Sequence, residues 1–496
     1  MGAMRFLVAR RDQLSDTAVE RAYLSGLDEI PWRCRSQWTT YGFIVERDES
    51  DSGNLFLRVR VEGHGELVLS TGSLVEREEP YHLEVELARG TINRLRNQLA
   101  AWEGAGLVVP EAVRQGISTA SRQFSQAATR QAEVETAADL AMRATELALG
   151  AMTLLGSAYA QQALTGRRAA GGKLPTLWGI RLGGGCPDPR QTPLLAQAFN
   201  TATVPLVWRD IEVSEGRRDW VATDRQIDWC RTNGLRIASG PLLQVDRWSL
   251  PDWMYLFGED DMESFHTCVA EYIQEVVNRY RGKVQLWQCA ARLNMKNDFG
   301  HDEEQRLRLA VLTVEAIRRV DARAPILLSV DQPWSEFMSR EDYDLSPLHF
   351  VDALVRAEVG LSGIGVEINF AYEPPGTTPR DPLELSRQMD RYSTLGLPIM
   401  VSLVAPSSLG ADSLARSPAA PIQYLAGSNV SPVAQATWAE SYLPVMLAKP
   451  SVQGLVWNQF SDQHPHEFAH GGLFDAAGLA KPLAQEFQQL RAQFVV

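Results

Sequence analysis

The sequence predicts an α/β protein built around a closed (β/α)8 barrel, which a β-sandwich-like domain and a helical segment precede. The length of 496 residues is too great for one ordinary hydrophobic core, so two or three domains are expected. The pattern of apolar residues also changes twice along the chain. It alternates with period two over residues 4–90, has helical spacing over residues 91–165, and from residue 174 onward consists of short apolar runs separated by amphipathic helices.

Residues 4–90 are predicted to form an antiparallel β-sandwich of the kind found in carbohydrate-binding modules. Two segments, "LFLRVRVEG" and "YHLEVELARG", place alternate apolar side chains on one face, and Gly-rich turns separate such segments. Trp32 and Trp38 are open to two interpretations. Exposed rings would stack on sugars, whereas buried rings would belong to the core, which is the simpler interpretation.

Residues 91–165 are predicted to form two or three helices. Ile92, Leu95, Leu99 and Trp102 recur at helical spacing, and "AEVETAADLAMRATELALGAMTLL" is rich in strong helix formers. A packing bracket between two domains is the expected role. The segment "TGRRAAGGKLP" is predicted to be a linker that ends at Pro175.

Residues 174–496 are predicted to form the barrel, because eight apolar runs alternate with helical segments. An open doubly wound sheet is the alternative fold, but "RLGGGCPD" after the first run lacks the spacing of a dinucleotide-binding loop. The eight runs are "LWGIRLG", "TVPLVW", "LRIASGPLL", "VQLWQCA", "PILLSVD", "GIGVEINF", "PIMVSLVAP" and "VQGLVWNQF".

Composition restricts the partners of the protein. A net charge of −13 argues against nucleic acid or an anionic membrane as a partner. The sequence contains no run of eighteen apolar residues, so no membrane span is predicted. Five scattered cysteines fit reduced thiols and a cytoplasmic location, whereas removal of a signal peptide would make the protein secreted. No cofactor is expected, and the oligomeric state is left open.

The order of the segments resembles glycoside hydrolase family 10, the retaining β-1,4-xylanases. The similar segments are "FNTATVPLVW", "ATDRQIDWCRTNGLRIASGPLL", "YIQEVVNRYRGKVQLWQ", "SGIGVEINF", "LGLPIMVSLV" and "VQGLVWNQFSDQ". The resemblance implies a barrel from about residue 174 to the end of the printed sequence, with carbohydrate as the partner. It says little about residues 1–165.

The family's two catalytic glutamates have no counterpart in the matching segments. The family's fourth strand ends in Trp-Asp-Val-Val-Asn-Glu, where this chain has Arg292 in the place of the glutamate. Its seventh strand ends in Thr-Glu-Leu-Asp, where this chain has Leu403. A retaining glycosidase needs two carboxyl groups about 5 Å apart. The resemblance therefore implies a carbohydrate-binding pseudo-glycosidase, with no catalytic residue at the family positions.

Polar and aromatic side chains near the carboxyl ends of the strands are the predicted substrate-binding residues, since function lies at that face of a barrel. Trp208 and Trp457 align with aromatic positions of the family's sugar site and are expected to be stacking platforms. The full predicted set is Trp208, Glu367, Asn369, Trp457, Gln459, Asp462, His464 and His466.

Glu367 is the acid best placed to face the barrel interior, because it lies on a predicted strand rather than in a loop. Several roles are open to it. It is predicted to neutralise Arg292, since a buried arginine needs a partner. Alternatively, Glu367 with Asp210, Asp331 or Asp462 would form a relocated catalytic pair. A structural or assembly module is a third possibility.

The loop "SDQHPHEFAHGG" contains three of the eight histidines and two acids, a composition that also suits a metal ion. A sugar-contacting or exposed loop is the preferred interpretation, so no metal is predicted.

Overall fold

The computed structural model describes residues 2–48, 50–257 and 261–496. Its N-terminal part contains two small sheets, one with strand order β3-β4-β1-β7 and the other with order β2-β5-β6. Pairing is antiparallel except between β1 and β7. The elements are β1 (Gly2–Leu7), a 3-10 helix (Arg11–Gln13), α1 (Asp16–Glu20), β2 (Tyr23–Ser25), β3 (Cys34–Trp38), β4 (Gly42–Arg47), β5 (Asn54–Val61), β6 (Gly65–Ser70) and β7 (Tyr81–His82).

The predicted strand in "YHLEVELARG" is wrong beyond His82. A helix, α2 (Leu83–Gly104), begins there instead. Period two would place Glu84 and Glu86 on a solvent face, but both are buried, and the Glu84 carboxylate accepts hydrogen bonds from the backbone N–H groups of Ala9 and Arg10 at 2.9 and 2.8 Å. The alternation of apolar and acidic residues therefore does not mark a half-exposed strand here, because the glutamates in it are buried in a helix.

Trp32 and Trp38 are both partly buried, and an arginine covers each ring. The Arg47 guanidinium lies 4.6 Å from the Trp32 ring centre, and that of Arg11 lies 4.2 Å from the Trp38 ring centre. Each guanidinium lies over its ring at a distance typical of a cation–π contact.

Three helices follow, as the apolar spacing predicts: α2, α3 (Glu111–Thr129) and α4 (Val134–Gly171). The predicted linker from Thr165 is wrong for its first part, since α4 continues to Gly171 and ends where Gly172 takes a positive φ of 78°. Arginine and alanine sustain the helix at these positions. Arg94 in α2 pairs with Asp381 at 2.9 Å, so the helical region lies against the outer helices of the barrel.

The predicted (β/α)8 barrel is confirmed. Eight parallel strands close in the order β10-β11-β12-β13-β14-β17-β8-β9. They are β8 (Leu177–Arg181), β9 (Thr201–Val204), β10 (Arg236–Ser239), β11 (Leu286–Ala291), β12 (Ile326–Val330), β13 (Gly363–Asn369), β14 (Ile399–Val404) and β17 (Val452–Trp457), with a small hairpin of β15 (Tyr424–Leu425) and β16 (Ser428–Asn429).

Helices alternate with these strands and cover the barrel. The second strand is displaced from its predicted run, because Pro205 ends it and Trp208 begins a short helix. The helices are α5 (Thr192–Ala198), α6 (Trp208–Ile211), α7 (Val221–Thr232), α8 (Met262–Tyr280), α9 (Glu303–Val320), α10 (Pro347–Arg356), α11 (Pro382–Ser393), α12 (Pro432–Ala448) and α13 (Leu483–Phe494), with 3-10 helices at Asp252–Leu256 and Glu336–Ser339.

Strand register fixes which side chains enter the barrel, because residues opposite each other in neighbouring strands point to the same face. Glu367 lies opposite Ser402, and Ser402 lies opposite Val456. Val456 belongs to a small apolar cluster with Leu327 and Met400, separate from the large cluster that joins strands to helices. Glu367 and Ser402 therefore face the interior.

Leu403 faces the other way. It lies opposite Ile368 and Trp457, and all three belong to the large cluster between strands and helices. The predicted correspondence of Leu403 with an inward-facing nucleophile is therefore wrong in orientation. The inward residue at this height is Ser402, which also has no carboxylate.

Within the described ranges, no helix combines the length and apolar character that crossing a membrane requires.

Candidate functional site

A cavity of about 500 Å³ opens at the carboxyl ends of the barrel strands. Its wall comes from the segments that follow the first, second, third, fourth and eighth strands, together with the loop near Arg416. The functional face of a (β/α)8 barrel is this one, so the cavity is the candidate site. Polar and aromatic residues in the wall include Arg181, Trp208, Asp210, Gln226, Gln244, Asp246, Trp248, Arg292, Arg416, Asn458, Gln459, His464, His466 and Glu467.

Arg292 is anchored at the base of this cavity by three acids. Its Nε donates to Glu367 Oε2 at 2.8 Å and lies 3.4 Å from Asp331 Oδ2. One of its terminal nitrogens pairs with Glu467, in the loop after β17. The predicted pairing of Arg292 with Glu367 is confirmed.

Arg292 reaches these partners because its backbone leaves β11 in the left-handed region, with φ of 59°. Glu367 is the inward-facing acid of β13, and Asp331 directly follows β12. Three neighbouring strands thus bring their polar groups together above the apolar interior of the barrel. Glu467 was not predicted as a partner, because nothing in its loop specifies the direction of its side chain.

The pKa values of Arg292 and Asp331 shift for different reasons. Burial alone would lower the pKa of Arg292, but Glu367, Glu467 and Asp331 outweigh it and raise that pKa well above its usual value. Burial raises the pKa of Asp331 to about 7; Arg292 opposes the shift and Glu367 adds to it. Arg292 is therefore a permanent cation, while Asp331 takes up a proton more readily than an ordinary aspartate.

Glu367 and Asp331 lie beneath the cavity rather than on its wall. Each is at most 6% exposed, and neither borders the cavity in the described part of the chain. Arg292 and Glu467, which do border it, cover them. A ligand in the cavity would therefore meet the arginine before it met either acid.

The two predicted platform tryptophans are core side chains. Trp208 is 2% exposed, stacks on Tyr272 with ring centres 4.3 Å apart, and donates from Nε1 to Glu212 at 2.8 Å. It also borders the cavity, but with very little exposed surface. Trp457 has no exposed surface and lies among Trp438 and Phe487 of the helical layer, so its predicted platform role is wrong.

Asn369, Gln459 and Asp462 belong to a buried polar layer. Asn369 donates from Nδ2 to Asp331 at 3.2 Å, and no group in the described residues bonds to its Oδ1. Gln459 borders the cavity and donates from Nε2 to Asp462 at 2.8 Å. Asp462 pairs with buried Lys481 at 2.6 Å, so it is engaged in a structural ion pair rather than free for chemistry.

The side chains of the histidine-rich loop divide among several partners. His466 bonds through Nε2 to Asp412 at 3.0 Å, and His470 lies 3.6 Å from the same carboxylate. Glu467 turns to Arg292 and Asp462 to Lys481. Over the described ranges, no three histidine, cysteine or acidic residues are placed to hold a metal ion. His464 borders the cavity, with its ring against Gly185.

Several cavity residues were not predicted from the sequence, among them Trp248, Arg181 and Arg416. Trp248 is 42% exposed and follows the third strand, a position where barrel loops carry function. Its place in "VDRWSLPDW" beside acidic and basic residues would have suggested an exposed aromatic. Arg181 is the last residue of the first strand, β8. A charged residue at the carboxyl end of a barrel strand could have been recognised as a candidate for the functional face.

Comparison with known proteins identifies a related segment. Residues 186–306 match the family described as Glycosyl hydrolase family 10. An endo-1,4-beta-xylanase/feruloyl esterase from Xylanibacter ruminicola is 30% identical over 105 residues. That match spans 20% of this chain and only 14% of the relative.

Solved xylanase structures are also similar. Xylanase 10B from Thermotoga petrophila RKU-1, in complex with xylobiose, is 14% identical, with 65% of this chain and 94% of that chain covered and a TM-score of 0.46. Xylanase B from Clostridium stercorarium F9 is 15% identical, with 66% and 98% covered and a TM-score of 0.48. The match over residues 186–306 includes Trp208, Trp248 and Arg292, and it confirms the resemblance of the barrel to glycosyl hydrolase family 10.

Proposed function

We propose that the barrel binds carbohydrate in its upper cavity and does not hydrolyse it by the retaining mechanism. The observation that carries this proposal is the position of Arg292. It projects from the end of the fourth barrel strand into the base of the cavity, and three carboxylates hold it there.

The chemistry supports the absence of retaining hydrolysis. The mechanism needs one carboxyl group to attack the sugar and another, about 5 Å away, to protonate the leaving oxygen. Arg292 stays protonated and accepts no proton, so it cannot serve as the acid and base. The seventh strand, "IMVSLV", offers no carboxylate on either face.

Binding is supported by the composition of the cavity wall. Sugars need an aromatic face for their C–H side and polar groups for their hydroxyls. Trp248 offers partly exposed ring surface, and Asn458, Gln459 and His464 offer amide and imidazole groups at the same wall. Trp248 replaces Trp457 as the platform in this proposal.

A second candidate is hydrolysis by relocated carboxylates, Glu367 and Asp331. Both approach the same nitrogen of Arg292, and the raised pKa of Asp331 would suit a general acid. Their burial beneath Arg292 argues against it, because the substrate would have to displace a triply paired cation. Asp462 is paired with Lys481, and Asp210 is exposed on the cavity wall and forms no contact with Arg292 in the described residues.

A glycan-array screen with parallel hydrolysis assays on xylan and an aryl β-xylobioside tests the proposal. We expect a carbohydrate hit, weaker binding by Trp248→Ala, and no product from either substrate. Product that forms with the wild type and disappears in Glu367→Gln would establish the relocated pair. Absence of any hit, together with intact folding, would favour a structural module.

A further inference from the structure

Arg181 is a cation that has no close acidic partner among the residues that the structure describes. It ends the first barrel strand, is partly buried, and borders the cavity. Its guanidinium makes no hydrogen bond or ion pair with any residue that the structure describes. Burial lowers its pKa; Glu367 and Glu467 act in the opposite direction from a distance, and Arg292 adds to the lowering.

Several other buried or half-buried cations at this end of the barrel are paired directly. Arg292 has Glu367, Asp331 and Glu467, Lys481 has Asp462 at 2.6 Å, and Arg218 has Glu212 at 2.7 Å. A partly buried charge without such a partner is costly unless water or a ligand satisfies it. Arg181 therefore presents free donors to whatever enters the cavity.

Arg416 adds a second cation at the same wall. Its guanidinium lies 6.0 Å from the ring centre of Trp248, and the described residues include no acid within ion-pairing distance of it. Its backbone N–H donates to His466 at 3.0 Å, which fixes the loop at the cavity. A partly exposed aromatic ring thus lies next to one of two unpaired arginines.

The acids of the wall are mostly occupied. Asp246 accepts from Gln244 at 2.6 Å and from the backbone N–H groups of Trp248 and Ser249, and Glu467 is bound to Arg292. Asp219 accepts from the backbone of Val221 at 2.9 Å. In the described ranges the Asp210 carboxylate has no hydrogen-bond or ion-pair partner, so it can accept from hydroxyl groups. None of these acids forms an ion pair with Arg181 or Arg416 in the described part of the chain.

We propose that the cavity takes an acidic carbohydrate, a uronic-acid-containing oligosaccharide whose carboxylate pairs with Arg181 and whose ring lies on Trp248. This inference rests on the proposed function, carbohydrate binding in the cavity, and adds the class of sugar. A guanidinium matches a carboxylate with two parallel hydrogen bonds, which a neutral hydroxymethyl group cannot reproduce. Arg416 flanks the platform and strengthens the attraction.

Calorimetric titration with matched probes tests the inference. The probes are a galacturonate trimer, a mannuronate trimer and a xylotriose carrying one glucuronate branch, each beside its carboxyl-reduced neutral form. We expect at least one acidic probe to bind about tenfold to a hundredfold more tightly than its reduced form, the range for a hydrogen-bonded charged group. That preference should shrink as salt is raised.

Variants assign the preference to a residue. Arg181→Gln should remove it while binding of the neutral form is retained, and Arg181→Lys should keep part of it. Arg356→Gln, on the outer helix α10 and 79% exposed in its side chain, is the matched control and should leave the preference unchanged. Melting temperatures of all variants check their folding.

The outcomes separate this inference from the proposed function. Equal affinity for acidic and neutral probes in the wild type would overturn the acidic class and leave carbohydrate binding intact. An acidic preference that survives Arg181→Gln would overturn the role of Arg181. If the folded protein binds none of the acidic or neutral probes and also binds no glycan on the array, both proposals are overturned.

Discussion

Replacing Arg292 by methionine tests the arrangement at the base of the cavity most sharply. Methionine preserves much of the length and apolar stem of arginine but removes the charge and the donors. Glu367 would lose its 2.8 Å partner, and Asp331 would lose its cation at 3.4 Å. The side chains of these two acids are 8% and 7% exposed, so water cannot replace the lost contacts fully.

The size of the effect follows from burial. Removing one partner of a buried ion pair costs about 3–5 kcal/mol. The lower end applies here, because the Arg292 side chain is itself 19% exposed and Asp331 can take up a proton. Glu467 is 39% exposed in its side chain, so Glu467→Gln should cost only about 0–1 kcal/mol.

Urea denaturation of the full chain, followed by tryptophan fluorescence, provides the measurement. We expect Arg292→Met to destabilise the barrel transition by about 3 kcal/mol. The double variant Arg292→Met/Glu367→Gln should recover most of that loss, since it leaves no lone charge at Glu367. If Arg292→Met lowers the free energy of unfolding by less than about 1 kcal/mol, Arg292 does not stabilise the buried acids. Equal losses for Glu467→Gln and Glu367→Gln would also contradict the dependence on burial.

Three further predictions concern single positions. The raised pKa of Asp331 means that the folded state holds its proton up to about pH 7, whereas the unfolded chain releases it near the ordinary value of about 4. Wild-type stability should therefore fall as pH rises across that window, and Asp331→Asn should flatten the fall in denaturation curves; an unchanged slope contradicts it. Trp457→Ala should cost about 3–5 kcal/mol of stability, because the ring is fully buried. Trp248→Ala should leave the melting temperature nearly unchanged and weaken glycan binding by about 1–3 kcal/mol, and a reversed pattern between the two tryptophans would contradict this assignment.

Sequence patterns predicted the barrel well because its strands are short apolar runs at regular intervals. Pro205 explains the one displaced strand, because it ends β9 inside the predicted apolar run. Prediction failed at α2, where alternating glutamates imitate a strand although they are buried. It also failed at residues 165–171, where glycines suggested a linker but the α4 helix continues.

The site was only partly predictable. The Arg292–Glu367 pair followed from the need to neutralise a buried charge, and the structure places the two in contact. The orientation of Leu403 and Trp457 depends on strand register, which one-dimensional alignment with a family motif does not fix. The roles of Glu467 and Trp248 depend on loops, where no regular spacing indicates the direction of a side chain. Arg181 lies on β8, but its lack of an acidic partner among the described residues depends on where the loop acids turn.

Binding and cleavage of one oligosaccharide, followed on the same sample, test the central claim most directly. The best glycan-array hit would be titrated into the wild type, incubated with it, and then analysed for chain length by mass spectrometry. We expect saturable binding, loss of affinity in Trp248→Ala, and recovery of the oligosaccharide at full length. Shortened products that form with the wild type and are absent with Glu367→Gln would contradict the central claim.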